Sequence, residues 1–140
     1  MLVAEGHSFA GQSAVPVAAL AAEPLLLAEE ERAPEFNQFV IELCRSVGFT
    51  PILYSGTVES IRAAVDLVAQ PRCVLCAPSS CVSPPAGIVW KPVVSPPSRY
   101  PWSVLWRAGD SSEHVSAFLR AARVLSRRHG WLPPHGQVAG

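Results

Sequence analysis

Three short apolar runs between Leu25 and Ser80 alternate with two runs in which apolar residues return every three or four positions. Leu25-Leu26-Leu27, Pro51-Ile52-Leu53-Tyr54 and Cys73-Val74-Leu75-Cys76 read as strands. Their near-continuous apolar character is what a sheet covered by helices on both faces requires. The first helical run opens with Pro34, which costs nothing at the first position of a helix. Phe36, Phe39, Val40, Leu43, Cys44 and Val47 fall on one face, and Gly48 suits a left-handed C-terminal cap. The second run takes Thr57 as its cap, with Ser60 three residues on and Ile61, Ala64, Val65 and Val68 as its apolar face. Gln70-Pro71 stops it. This β-α-β-α-β rhythm predicts a parallel-rich α/β sheet flanked by helices. Ligands of such sheets sit beyond the carboxyl ends of the strands, so the loops after Leu27, Tyr54 and Cys76 become candidate binding loops.

Outside this stretch the pattern is sparser. Met1 to Ala4 reads as a shortened strand, followed by a turn at Glu5-Gly6-His7-Ser8. Val17 and Leu20 mark one helical turn, and Ile88 to Val93 one further strand. Residues 95–101 carry three prolines and one tyrosine and predict a loop. Residues 102–106 (Trp-Ser-Val-Leu-Trp) predict a last strand. Asp110 or Ser112 caps a final helix over 113–126 with Val115, Phe118, Leu119, Ala122 and Leu125 on one face. Residues 128–140 read as a flexible tail.

At 140 residues and 49% hydrophobic content the chain can build one modest domain with a core. Eleven basic residues balance eleven acidic ones, which leaves no electrostatic basis for nucleic-acid binding by this chain itself. No apolar run approaches the ~20 residues of a membrane span, and no basic segment precedes a long apolar one at the N-terminus. The expectation is a cytoplasmic protein. Cys73 and Cys76 have the spacing of half a zinc site, but residues three apart on a strand point to opposite faces and no second pair follows. All four cysteines are read as structural, with no metal and no cofactor. No nucleophile elbow, phosphate loop, dinucleotide fingerprint or HExxH is present, so the chain is not expected to be an enzyme.

Several segments, in order, carry a family likeness. Glu5-Gly6-His7-Ser8-Phe9-Ala10-Gly11 is followed by Val15 to Leu25 in a V-x-L-x-x-L-x-x-x-P-like run. Pro34-Glu35-Phe36 precedes Leu43-Cys44-Arg45-Ser46-Val47-Gly48-Phe49-Thr50-Pro51. Val65-Asp66-Leu67-Val68-Ala69 precedes Ala77-Pro78-Ser79-Ser80, and Gly87-Ile88-Val89-Trp90-Lys91-Pro92 follows. Together they resemble the effector-binding (substrate-binding) domain of LysR-type transcriptional regulators, most nearly the subgroup that senses aromatic acids. The likeness implies a type 2 periplasmic-binding-protein-like fold. By this resemblance residues 1–127 are a partial, N-terminally truncated domain. Residues 5–93 would form its second lobe, and 101–127 a strand-helix remnant of the first. The winged helix has no counterpart, so DNA would be met only through a domain outside this chain. Gln70-Pro71-Arg72-Cys73 stands where the family has Gly-x-Gly, and Ser8 where it has proline.

The resemblance implies a small carboxylate effector, aromatic in the nearest subgroup. Arg32, Pro34 and Phe36 lie where the first strand meets a helix N-terminus, whose free N–H groups and dipole favour an anion. Pro34 and Phe36 match cleft-lining positions of the family, and serve equally well as helix starter and core residue. Ser55, Thr57, Pro78 and Ser79 close the other two strand ends. Their hydroxyls can meet an anion or simply cap local structure. His7 is read as a turn residue, Glu29-Glu30-Glu31 as a solvated rim that repels anions, and Arg120, Arg123, Arg127 and Arg128 as a solvated face or a dimer contact. The apolar face of residues 102–125, lacking most of its lobe, is expected to be exposed or to self-associate. A stand-alone periplasmic-type small-molecule binding domain is the alternative reading.

Overall fold

The computed structural model describes residues 1–131 except 57, 59 and 80–83. Two units, Met1–Pro101 and Trp102–Gly140, are each described by themselves.

The first unit is built on a five-stranded sheet in the order β4-β3-β5-β1-β6. These strands are β1 (Leu2–Ala4), β3 (Pro24–Leu26), β4 (Ile52–Leu53), β5 (Val74–Leu75) and β6 (Ile88–Trp90). β3 pairs in parallel with both β4 and β5, through Leu25 opposite Leu53 and Leu26 opposite Leu75. β1 runs antiparallel to both its neighbours, with Leu2, Val3 and Ala4 opposite Trp90, Val89 and Ile88. The segment expected as a shortened strand is thus central to the sheet, and all three of its residues are buried. The three parallel strands are the predicted ones: β4 and β5 are trimmed by a residue at each end, and β3 begins and ends one residue earlier than expected.

Helix α1 (Pro34–Arg45) and helix α2 (Ile61–Ala69) cover opposite faces. The period of two along each strand sorts the core cleanly. Met1, Val3, Leu25 and Val74 pack with Val40 of α1 and with Leu20 of a 3-10 helix at Val17–Ala22. Leu2, Leu26, Cys73 and Leu75 pack with Ala64 and Val68 of α2. Cys76 lies with the α1 side, so the sheet itself separates it from Cys73. Two-sided cover explains why these strands read as unbroken apolar runs. β4 is the exception. As the edge strand it leaves Ile52 and Leu53 about half exposed, at 53% and 51%.

The stretch expected as one strand from Ile88 to Val93 divides. Lys91 and Pro92 separate β6 from β7 (Val93–Val94), which pairs in parallel with β2 (Val15–Pro16) as a separate two-stranded sheet. Pro92 brings no N–H, and its carbonyl instead accepts from Val15 N at 2.9 Å. Helix α1 ends at Arg45, and the turn after it closes at Gly48, whose φ of +93° only glycine adopts without strain. Its N–H donates back to the Arg45 carbonyl at 2.9 Å. Helix α2 is capped by Ser60, which accepts from Ala63 N at 3.3 Å. Thr57, the expected cap, lies outside the described residues, and the helix begins three residues later than that cap required.

In the second unit, helix α3 (Glu113–Arg128) forms as predicted, capped by Ser112 and two residues longer than expected. Residues 102–106 form no strand, because no sheet offers them a partner. Trp102 and Leu105 are 81% and 91% exposed. Phe118 and Leu125 of α3 are exposed as well, and no residue of that helix is buried. No helix among the described residues is long and apolar enough to cross a membrane.

Candidate functional site at the strand ends

The carboxyl ends of β4, β3 and β5 lie side by side because those strands are parallel neighbours. The chain leaving them carries Ser55, then Arg32 in the loop with Pro34 and Phe36 in the first turn of α1, then Pro78 and Ser79, so six of the seven predicted residues follow strand ends on the same side of the sheet. Thr57 lies outside the described residues. A parallel bridge between Ala28 and Val58 continues the pairing of β3 and β4 beyond the strands and draws their loops together.

The first turn of α1 faces this edge. Its N-cap is Ala33, which offers no side-chain acceptor, and Pro34 occupies the first helical position. Asn37 N reaches the Ala33 carbonyl at 2.9 Å. The N–H groups of Glu35 and Phe36 therefore belong to a first turn without a side-chain cap, at the positive end of a twelve-residue helix. Ser55, Pro34 and Ser79 are exposed there, Pro78 half-buried.

Arg32 is not an unengaged cation. Its Nε donates to Glu29 Oε2 at 2.8 Å, so it offsets one of the three rim carboxylates. The rim is correspondingly less repulsive than three solvated glutamates. Glu30 is also engaged, since its Oε2 accepts from Asn37 Nδ2 at 3.0 Å. The same Nδ2 donates to the Ala28 carbonyl at 3.0 Å. Asn37 is 2% exposed and ties the β3–α1 loop to its helix, while its buried Oδ1 has no hydrogen-bond partner. Sequence reasoning passed over this residue. The signal was present: positions 37, 40 and 44 fall on one helical stripe, and 40 and 44 are apolar core.

Phe36 is half-buried, neither wholly core nor open. Tyr100 meets it edge-on at 5.1 Å between ring centroids and meets Phe39 likewise at 5.3 Å. His7 takes the turn role expected of it: Nδ1 accepts from Phe9 N at 3.1 Å, and Nε2 stands 3.3 Å from Glu23 Oε2. Burial pushes the Cys44 and Cys73 thiols above their ordinary pKa, and Cys76 up to about 11. Thiols held neutral in this way are poor nucleophiles and metal ligands. No group of three or more metal-ligating side chains occurs among the described residues.

The solved structures this chain is similar to have the same fold. The reduced form of OxyR superposes with a TM-score of 0.64 at 24% identity, over 91% of this chain and 58% of that one. HinK, a LysR family transcriptional regulator from Pseudomonas aeruginosa, gives 0.60 at 22% identity, over 89% and 44%. The Synechocystis PCC6803 CcmR regulatory domain in complex with 2-PG gives 0.61 at 20% identity, over 89% and 60%. The chain thus spans less than two thirds of each. No curated protein sequence matches it. The family model of the LysR substrate binding domain matches residues 1–125. With that match over most of its length, and with the periplasmic-binding-protein-like fold of its structural neighbours, the chain belongs to the LysR substrate binding domain family.

Proposed function

We propose that this chain is the effector-sensing part of a LysR-type transcriptional regulator, and that its effector is a small carboxylate carrying an aromatic ring. One observation carries the reading: three parallel strand ends lie side by side, and the chain leaving the middle one enters the first turn of α1, where no N-cap side chain accepts from the N–H groups. A carboxylate there receives the N–H groups of Glu35 and Phe36 and the helix dipole. Ser55 and Ser79 supply hydroxyls from the neighbouring strand ends, and Pro34 and Pro78 restrain the chain there. Phe36 gives the ring an apolar contact, and Arg32 offsets Glu29 at the rim. CcmR, which shares the fold, is a regulatory domain that binds 2-PG, and this precedent supports a small-molecule role.

In this reading residues 5–93 are the second lobe, and residues 101–127 are the last strand and helix of the first. The exposed apolar residues of 102–106 and α3 then meet the remainder of that lobe, or, in the chain alone, a second copy. DNA is contacted through a separate domain. A thermal-shift series with acetate, succinate and benzoate tests the effector class, since a ligand bound only by the native state raises Tm. Benzoate is expected to stabilise the wild type more than acetate does, and Phe36→Ala to abolish that difference. No stabilisation by any of the three overturns the reading.

A further inference from the structure

Between Val94 and Val115 every residue is exposed except Tyr100. Within the first unit, the Tyr100 ring rests on Phe36 and Phe39 of α1. Those two phenylalanines, three positions apart on α1, present their rings 6.3 Å apart and inclined by only 29°. Tyr100 stands at 78° and 73° to them, the edge-to-face arrangement that aromatic rings prefer. The slot is therefore already filled by a planar ring, and it adjoins the first turn of α1, where Phe36 is the third helical residue.

We infer that Tyr100 is a built-in competitor for the aromatic slot of the effector site, displaced when an aromatic carboxylate binds. This rests on the carboxylate reading above and adds its regulation. The carboxylate lies at the N–H groups of Glu35 and Phe36, and its ring takes the place of the phenol against Phe36 and Phe39. Displacement releases the only half-buried point of residues 95–114, so occupancy of the site is transmitted to the segment leading into the second unit. A ligand that lacks a ring binds without displacing Tyr100 and leaves the connector docked.

Benzoate serves as the probe, titrated by calorimetry into the 140-residue chain and into Tyr100→Ala. Removing the competitor is expected to tighten benzoate binding about tenfold, the scale of the aromatic contacts no longer displaced. A second readout needs no variant. Trypsin cuts after Arg99, next to Tyr100, and after Arg107, in the same exposed stretch. Benzoate should speed the first cut relative to the second, and acetate should not. Tighter binding by Tyr100→Ala with a faster Arg99 cut supports the inference, as does benzoate binding by the variant alone. Benzoate binding with equal or weaker affinity for the variant, or with an unchanged cleavage ratio, overturns it and leaves the carboxylate reading standing. Benzoate binding by neither protein overturns both.

Discussion

Asn37 is the one buried polar side chain among the described residues, and its replacement has a size that the structure allows to be worked out. Asn37→Ala removes a neutral hydrogen bond to the Ala28 carbonyl and one to the ionised Glu30 carboxylate. These are worth about 1 and about 2 kcal/mol respectively. It also removes Oδ1, a buried acceptor without a partner, whose relief returns about 1–2 kcal/mol. The net loss is about 1–2 kcal/mol, which lowers the urea midpoint by roughly 1 M for an ordinary slope. Asn37→Asp keeps the size but turns the donor into a carboxylate set against Glu30 and a carbonyl oxygen. That leaves an uncompensated buried charge, and the cost rises to about 3–5 kcal/mol. The assay is urea unfolding by circular dichroism for the wild type and both variants at pH 7, repeated at falling pH. Burial beside Glu30 raises the introduced Asp above the ordinary carboxylate range, so it regains a proton and donates again while pH is still above that range, and its deficit relative to Asn37→Ala should shrink as pH falls. An unchanged midpoint for Asn37→Ala, or an Asp variant no worse than the Ala variant, would refute the account of Asn37 as the clasp of the β3–α1 loop.

Ser60→Ala removes the α2 cap and should cost about 0.5–1 kcal/mol, with faster hydrogen exchange at the Ala63 amide; unchanged exchange there would show that the 3.3 Å bond is not formed. The Cys76 pKa, raised from 9.0 to about 11, makes stability pH-dependent in one direction. The unfolded chain loses the thiol proton first. Stability is therefore fully present below about pH 9 and falls by about 3 kcal/mol as pH rises towards 11. Cys76→Ala should flatten that part of the profile of urea midpoint against pH. Phe118→Glu, on the exposed face of α3, should lower any concentration-dependent association seen by sedimentation without changing the melting of the first unit. An unaltered sedimentation profile would remove this face from the interface.

The β-α-β-α-β core was legible because its inner strands β3 and β5 are covered on both faces, and burial of that kind writes unbroken apolar runs. The same signal could not tell that β4 is an edge. Pro51, Ile52, Leu53 and Tyr54 read like any central strand, yet no strand pairs beyond them and Ile52 and Leu53 are half exposed. Residues 102–106 fail for the complementary reason. Local β-propensity is strong in Trp-Ser-Val-Leu-Trp, but a strand exists only where a neighbour pairs with it. Capping was ambiguous because Thr57 and Ser60 are both good caps, and only packing of Ala64 and Val68 against the sheet selects the later start. At the site, chain order placed the strand-end loops on one edge correctly. Long-range partners lay beyond it: nothing in residues 95–101 announced that Tyr100 would dock on α1.

The carboxylate site is tested most directly by mapping backbone amide shifts of the chain in solution as benzoate is added. The largest shifts are expected at Glu35 and Phe36, with smaller ones at Ser55 and Ser79 across the same sheet edge. Shifts confined to α2 or α3, or none at the first turn of α1 at saturation, would contradict the placement of the effector at the strand ends.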